Sequence, residues 1–442
     1  MATGIPRKNR KKERNKKLAK DSNNNSISLE YEGKSPMADI LATTPAKLNC
    51  VVEIPGQPIN RLIYGDNLRV LYTLLNDQSL AGKVCLIYID PPYATGSHFA
   101  SRKQDHAYKD LLEGAEYLEF LRCRLILMRE LLAEHGSIYV HLDENMAFHV
   151  KVLMDEIFGR KSFRNLITRK KCNPKNYTKK QYGNISDYIL FYTKTNNYVW
   201  NQPFETWTEE TSRKEYTYIE KETGRRYKKV PIHAPGVRNG ETGKSWRGMM
   251  PPPGKHWQYT PKTLEQMDAR GEIYWSPNGN PRRKVYLDES KGIPIQDIWF
   301  DFKDAHNQNI KITGYPTEKN PDLLKRIIMA SSNPGDLILD AFAGSGTTPA
   351  VAEDLNREWI AIDNAPLAME TIVWRLAKGT EVMGDFLNGK GNKHSNQIPL
   401  LDLNRVLHSG LKIYIEEAPD LEMIPTVSFG KWYSLLNSLT MA

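Results

Sequence analysis

Asp90-Pro91-Pro92-Tyr93 closes the apolar run Val84-Cys85-Leu86-Ile87-Tyr88-Ile89 with a carboxylate, two residues that cannot donate to a strand ladder, and an aromatic ring. The run has the composition of a strand covered on both faces, and the prolines stop it. Asp90 and Tyr93 are therefore expected at the carboxyl edge of a sheet, where open α/β folds bind their ligands. A second constellation lies far along the chain, in "DLILDAFAGSGTTPAVAEDLNREWIAIDN". An apolar strand ends at Asp340, a small-residue turn runs through Ala343-Gly344-Ser345-Gly346, and a helix leads to a strand ending at Asp363. Glycines in such a turn let backbone approach a ligand closely, and an acid about 20 residues on can take both hydroxyls of a ribose. The ligand of such a unit is a dinucleotide or S-adenosylmethionine. "GSGTTP" lacks the third glycine of a dinucleotide fingerprint.

The elements that must position these residues read as α/β. In "AEYLEFLRCRLILMRELLAEHG", Leu118, Leu121, Leu125, Met128 and Leu132 recur at helical spacing, with Gly136 as a stop. A strand over 137–143, "SIYVHLD", and an amphipathic helix over 145–159 follow. Strand, helix, strand, helix at this spacing predicts a parallel sheet with crossover connections. Between 166 and 310 the character changes to Trp-, Tyr-, Gly- and Pro-rich sequence, read as an inserted module of short strands, of which "DYILFYTK" is the clearest. After 310 the α/β pattern resumes. The expected organisation is a basic, mostly disordered tail over 1–45, one catalytic half over 46–165, the module over 166–310, a cofactor-binding half over 311–380 and a C-terminal extension over 381–442.

The chain has 442 residues, too many for one compact core, and no apolar run approaches the roughly 20 residues of a membrane helix. The N-terminus is basic and polar without a signal-peptide core, which predicts a soluble, intracellular protein with no membrane partner. Cys50, Cys85, Cys123 and Cys172 show no metal-ligand spacing, and no metal is expected. The net charge of +9 is concentrated: residues 1–20 carry nine Lys/Arg against one Glu, and residues 170–300 carry 23 Lys/Arg against 14 Asp/Glu. A polyanion is the natural partner of that distribution. His141 and His149 are read as structural, and the tryptophans of the middle segment as module core.

"DAFAGSGTT" together with "DPPY" is similar to the paired motifs of the amino-group DNA methyltransferases, and their order, with a variable module between, resembles the β class. "RLIYGDNLRVLYTLL", "GSIYVHLDE", "LMDEIFG", "SDYILFYTK" and "GYPTEKNPDLLKRII" resemble segments of the adenine-modifying Mod subunits of type III restriction systems. Two features depart from that pattern. Tyr315-Pro316-Thr317-Glu318-Lys319-Asn320-Pro321 stands where the family commonly has His-Pro-Thr-Gln-Lys-Pro, and the chain is shorter than typical Mod subunits.

The resemblance implies a Rossmann-like, S-adenosyl-L-methionine-dependent methyltransferase sheet with an inserted target-recognition module. The implied activity is transfer of a methyl group to the exocyclic N6 of an adenine flipped out of double-stranded DNA. Cytosine-N4 methylation and a non-catalytic DNA-binding subunit are the alternatives. Asp90 and the Pro91 carbonyl would accept the two amino hydrogens, Pro92 would fix that geometry, and Tyr93 would stack on the base. Phe342, Ala343, Gly344, Ser345, Gly346 and Thr347 would hold the methionine end of the cofactor, with Asp340 near its amino group and Asp363 on the ribose. By resemblance, Asp66 and Asn67 lie near the adenine moiety and Lys319 close to the carboxylate. The resemblance further implies a bacterial, cytoplasmic, nucleoid-associated protein of a restriction-modification system, and brings a homodimer and a restriction subunit into view as partners.

Overall fold

Val84–Ile89 is buried at every residue. In the computed structural model, which describes residues 27–92, 98–100, 106–109, 114–174, 180–304, 311–313, 315, 318–378, 381–382 and 409–417, this strand lies inside a ten-stranded sheet. Its neighbours, Leu337–Asp340 and Leu132–Leu142, both run parallel to it. Glu358–Asp363 and Ile59–Tyr64 continue the parallel set on the Leu337–Asp340 side. The unbroken apolar run is thus explained: helices cover both faces, so alternation would place polar groups in the core. Helices Gly114–Leu131 and Ala147–Phe158 contribute Leu121, Leu125, Met128, Val150 and Leu153 to that core.

The sheet is mixed rather than wholly parallel. Ser186–Thr193 runs antiparallel between Leu132–Leu142 and Phe163–Lys170. "DYILFYTK" therefore belongs to the main sheet and not to a separate module. Ile189, Leu190, Phe191 and Tyr192 are buried there, which a short-stranded surface module could not provide. The second compact unit spans Gln202–Ile295, beginning later and ending earlier than 166–310.

That unit is organised around a four-stranded sheet in the order Tyr218–Ile219, Arg226–Pro231, Pro281–Tyr286, Ile273–Trp275. Trp246 and Trp257 are buried in its core with Ile232, Leu264, Met267 and Ile273, and Trp275 packs against them. These rings are structural. Trp200 and Trp299 fall in the larger unit, where Trp200 stacks on Phe191 and Trp299 sits on a strand at the sheet edge.

Two further segments differ from the sequence reading. From residue 27 the stretch expected to be disordered is seated on the Gly114–Leu131 helix: the Tyr31 hydroxyl donates to Glu119 Oε2 at 2.7 Å, and Arg122 donates to the Ser35 carbonyl at 3.0 Å. Residues 1–26, with the basic cluster, lie outside the described residues. Gly410–Glu416, from the C-terminal extension, is inserted between Leu48–Ile54 and Ile59–Tyr64. Among the described residues no helix is long and apolar enough to cross a membrane.

Candidate active site

The carboxyl ends of the parallel strands carry the acids singled out by spacing. Asp340 ends its strand and Asp363 ends the adjacent one, while Asp90 follows the strand on the other side of Asp340. Sheet topology thus brings together residues 273 positions apart. Pro91 is buried beside Asp90; Tyr93 lies outside the described residues.

Lys319 Nζ lies 2.9 Å from Asp90 Oδ2, both side chains being largely buried. Asp90 also sits close enough to Tyr88 to add to the effect of burial, which pushes that phenol well above its ordinary range. The Tyr88 hydroxyl meets His141 Nδ1 at 2.8 Å, and His141 Nε2 lies 2.9 Å from Asp187 Oδ2. Burial lowers the His141 pKa although Asp187 opposes it, which favours the neutral ring. Arg169 clamps the same carboxylate with both ends of its fork and reaches Asp304 at 2.8 Å. His141 is accordingly a structural member of a buried polar chain beneath Asp90. His149, on an exposed helix turn, meets the Asn145 carbonyl at 3.3 Å.

The glycine turn is fastened at both ends by acids. Asp340 Oδ1 accepts from the Phe342 amide at 3.0 Å and Oδ2 from the Thr348 hydroxyl at 2.5 Å. Asp363 Oδ2 accepts from the Gly344 amide at 2.8 Å and Oδ1 from Ala365 at 2.9 Å. Gly344 has φ +51°, a conformation that side chains disfavour, and Gly346 has φ +71° with a Cβ position only 2.7 Å from Ile372. Ser345 and Thr347 hydroxyls meet at 3.0 Å, and Ala343 is buried. Burial pushes the Asp340 carboxyl up to about 7, with the neighbouring Asp90 and Asp363 charges adding, and burial raises Asp363 as well.

Asn67 reaches the segment that leads into this turn, with Asp66 next to it in the chain. Asp66 caps the Asn67–Asn76 helix by accepting from the Leu68 amide at 2.7 Å, so the plain capping role is real. Asn67 donates to the Ala341 carbonyl at 2.7 Å, directly before Phe342. Arg124, from the middle of an apolar helix, binds the Asn67 side-chain oxygen, lies 3.4 Å from Asp66 Oδ1 and stacks 3.6 Å over Phe120, whose ring faces Phe342 at 6.0 Å. Burial lowers its pKa to about 10. Arg124 escapes the sequence reading because a cation in a helix ordinarily points to water.

Arg375 escapes it too. This buried guanidinium donates to the Ser345 carbonyl at 2.7 Å, to Thr347 Oγ1 at 2.8 Å and to Glu318 Oε1 at 2.6 Å. At the opposite, amino end of the strands, Cys85, His135 and Asp336 come together, with the Cys85 thiol donating to Asp336 at 3.2 Å.

The profile of the N6/N4 DNA methylase family matches residues 84–373, a span that contains Asp90, Lys319, the glycine turn and Asp363. The chain belongs to this family. It is therefore a DNA methyltransferase. Over 363 residues it is 50% identical to the type II methyltransferase M.EcaI of Enterobacter cloacae, covering 81% of this chain and 79% of that one. It is 31% identical to the StyLTI Mod subunit, of a type III restriction-modification enzyme from Salmonella typhimurium, over 68% of this chain but 50% of the subunit's length. The DNA adenine methyltransferase YhdJ of Escherichia coli is 28% identical over 70% of this chain and 79% of its own.

Proposed function

We propose that the protein transfers a methyl group from S-adenosyl-L-methionine to the N6 amine of an adenine flipped out of double-stranded DNA. The observation that carries this reading is the convergence of Asp90, Lys319, Asp340 and Asp363 on one edge of the sheet, beside a glycine turn.

The turn fits the cofactor. Asp340 is a buried carboxyl held by the Thr348 hydroxyl and the Phe342 amide, with no cation paired to it among the described residues; an ammonium group would relieve its raised pKa. Gly344 presents backbone without a side chain next to Asp363, whose carboxylate suits ribose hydroxyls. Phe342, Ala343, Ser345, Gly346 and Thr347 would complete the methionine end, and Asp66 and Asn67 the adenine side. When bound, the cofactor supplies a methyl group activated by its sulfonium.

The chain's own task is to present the amine. The lone pair of an exocyclic amine is delocalised into the ring, so attack requires that it be localised and aimed. Asp90 accepts one amino hydrogen and the Pro91 carbonyl the other, which favours a pyramidal nitrogen and stabilises the charge that develops on it. Pro91 and Pro92 hold that geometry in advance. Lys319, bound to Asp90 Oδ2, orients the carboxylate. Tyr93 would stack on the base, and extrusion of the base is required because a paired amine cannot reach this edge.

The Gln202–Ile295 unit suits the DNA side. It carries 17 Lys/Arg against 12 Asp/Glu. Strand pairing places Tyr218, Lys229, Tyr274 and Arg282 on one face of its sheet, while Ile273 and Trp275 face the core. Lys229 lies 3.6 Å from the Tyr218 ring and 3.4 Å from the Tyr274 ring, with no carboxylate paired to it among the described residues. Such cations position a phosphate backbone, and neighbouring side chains read base edges. The unit is therefore the recognition module, and the protein is the modification component of a restriction-modification system. Digesting DNA from bacteria that express the gene and separating its nucleosides tests the reading. N6-methyladenine is expected; N4-methylcytosine in its place would replace adenine with cytosine as the target, and unmodified DNA would remove the activity.

A further inference from the structure

Three consecutive residues, Glu318, Lys319 and Asn320, are buried and point to three different places. Lys319 pairs with Asp90, and the Asn320 side chain caps the Pro321–Ser331 helix by accepting from the Asp322 amide at 2.9 Å. Glu318 turns the other way. Its Oε2 accepts from the Thr313 amide and hydroxyl, both at 2.8 Å, and its Oε1 accepts from Arg375 Nη2 at 2.6 Å. Arg375, on the Pro366–Lys378 helix, spends its other nitrogen on the Ser345 carbonyl and the Ser345 and Thr347 hydroxyls, at 2.7, 3.2 and 2.8 Å. The Lys319 carbonyl in turn lies 3.5 Å from Thr347 Oγ1.

A guanidinium buried in this way needs an anion, and Glu318 is the anion the chain supplies. A neutral amide at position 318 could keep a hydrogen bond to Arg375 but not compensate its charge. Glu318 and Arg375 are thus a matched pair, at a place where the resemblance implies Gln. The pair has two sides. One grips the backbone and hydroxyls of the glycine turn, and the other is one peptide bond from the residue that holds Asp90.

We propose that Arg375 is a positioning residue which, through Glu318, sets the cofactor turn and the Lys319–Asp90 contact as one unit. This rests on the adenine methyltransferase reading above. Loss of the guanidinium then disturbs both sites together: the turn loses three hydrogen bonds, and Glu318 loses the partner that fixes the backbone ahead of Lys319. A pair that served stability alone would lower the melting temperature and leave the properties of the folded enzyme unchanged.

The test compares wild type, Arg375→Met, Arg375→Lys and Glu318→Gln in the full-length protein. Affinity for S-adenosylmethionine is measured by calorimetry, kcat at saturating cofactor by methyl transfer to duplex DNA, DNA affinity by titration of a labelled duplex, and folding by thermal melting. Arg375→Met is expected to weaken cofactor binding by about tenfold or more and to lower kcat by a similar factor, as misplacements of about an ångström do, with DNA affinity unchanged. Glu318→Gln is expected to lower kcat more than cofactor affinity, because it acts on the Lys319 side, and Arg375→Lys to restore part of both. Should Arg375→Met fail to fold, Arg375→Lys and Glu318→Gln decide the matter. Folded variants with wild-type kcat and cofactor affinity overturn the proposal, as does a change in cofactor affinity alone. A wild-type protein that neither binds the cofactor nor methylates DNA instead removes the parent reading, and this inference with it.

Discussion

Lys319 Nζ and Asp90 Oδ2 stand 2.9 Å apart across the carboxyl edge of the sheet. The resemblance places Lys319 near the cofactor carboxylate; the structure pairs it with the acid that would receive the target amine. Lys319 thereby ties Asp90 to the segment behind the glycine turn. Replacing Lys319 with Met should reduce kcat by about tenfold or more, since a charge-assisted hydrogen bond to a functional carboxylate is worth about 1.5–3 kcal/mol. Steady-state kinetics with varied cofactor checks it: an unchanged kcat with a raised cofactor KM would place Lys319 on the cofactor alone.

The glycine turn should govern cofactor affinity. Gly344→Val forces a branched side chain into φ +51°, and Asp363→Ala removes the acceptor of the Gly344 amide together with the proposed ribose acceptor. Each should weaken S-adenosylmethionine binding by about tenfold or more. Calorimetry without DNA measures this, and normal affinity in both variants would remove the turn from the cofactor site.

Asp340 predicts a pH dependence. Its carboxyl, raised to about 7 by burial and by Asp90 and Asp363, keeps its proton in the folded protein where an ordinary carboxyl has lost it. The stability this group contributes is full below about pH 4 and is lost as pH rises through about 7. A ligand ammonium prefers the ionised form, so cofactor affinity should rise with pH up to about 7, by at most about tenfold per unit, and level off above. Asp340→Asn should flatten the profile in calorimetric titrations between about pH 5.5 and 8, a range that brackets that pKa. A wild-type affinity constant across the range would contradict the assignment.

The recognition face should act first through phosphates. Lys229→Ala and Arg282→Ala should weaken binding to cognate and random duplexes alike, and each should reduce the salt slope of affinity by about 1. Exchange of Gln202–Ile295 for the corresponding unit of a relative should instead change the methylated motif. Salt titrations and methylation mapping distinguish the two; a motif changed by Lys229→Ala would make that lysine a reader of bases.

The placement of several candidate residues at strand ends and in the glycine turn is legible in the sequence because it is local. The strand before Asp90, the turn after Asp340 and the acid at Asp363 are each set by a few neighbouring residues whose types the backbone dictates. The features that escape are long-range. Arg375 and Arg124 look like solvated helix cations until the fold buries them against Ser345 and Asn67, and nothing near Gly410–Glu416 signals that it pairs with strands some 350 residues earlier, as Asn60 opposite Leu411 does. The 166–201 segment reads as part of the inserted module because it shares the aromatic, basic composition of Gln202–Ile295. The pairing of Ser186–Thr193 with Leu132–Leu142 and with Phe163–Lys170 places those strands in the main sheet.

The central claim is that Asp90 acts on the target amine and not on the cofactor. A single-turnover assay that mixes DNA with a preformed complex of Asp90→Ala and methyl-labelled S-adenosylmethionine tests it most directly, with cofactor affinity measured on the same preparation. Cofactor affinity within about threefold of wild type, a difference of under about 1 kcal/mol, and no labelled N6-methyladenine are predicted. Labelled adenine at a rate near wild type, or loss of cofactor binding as the main defect, would contradict the account.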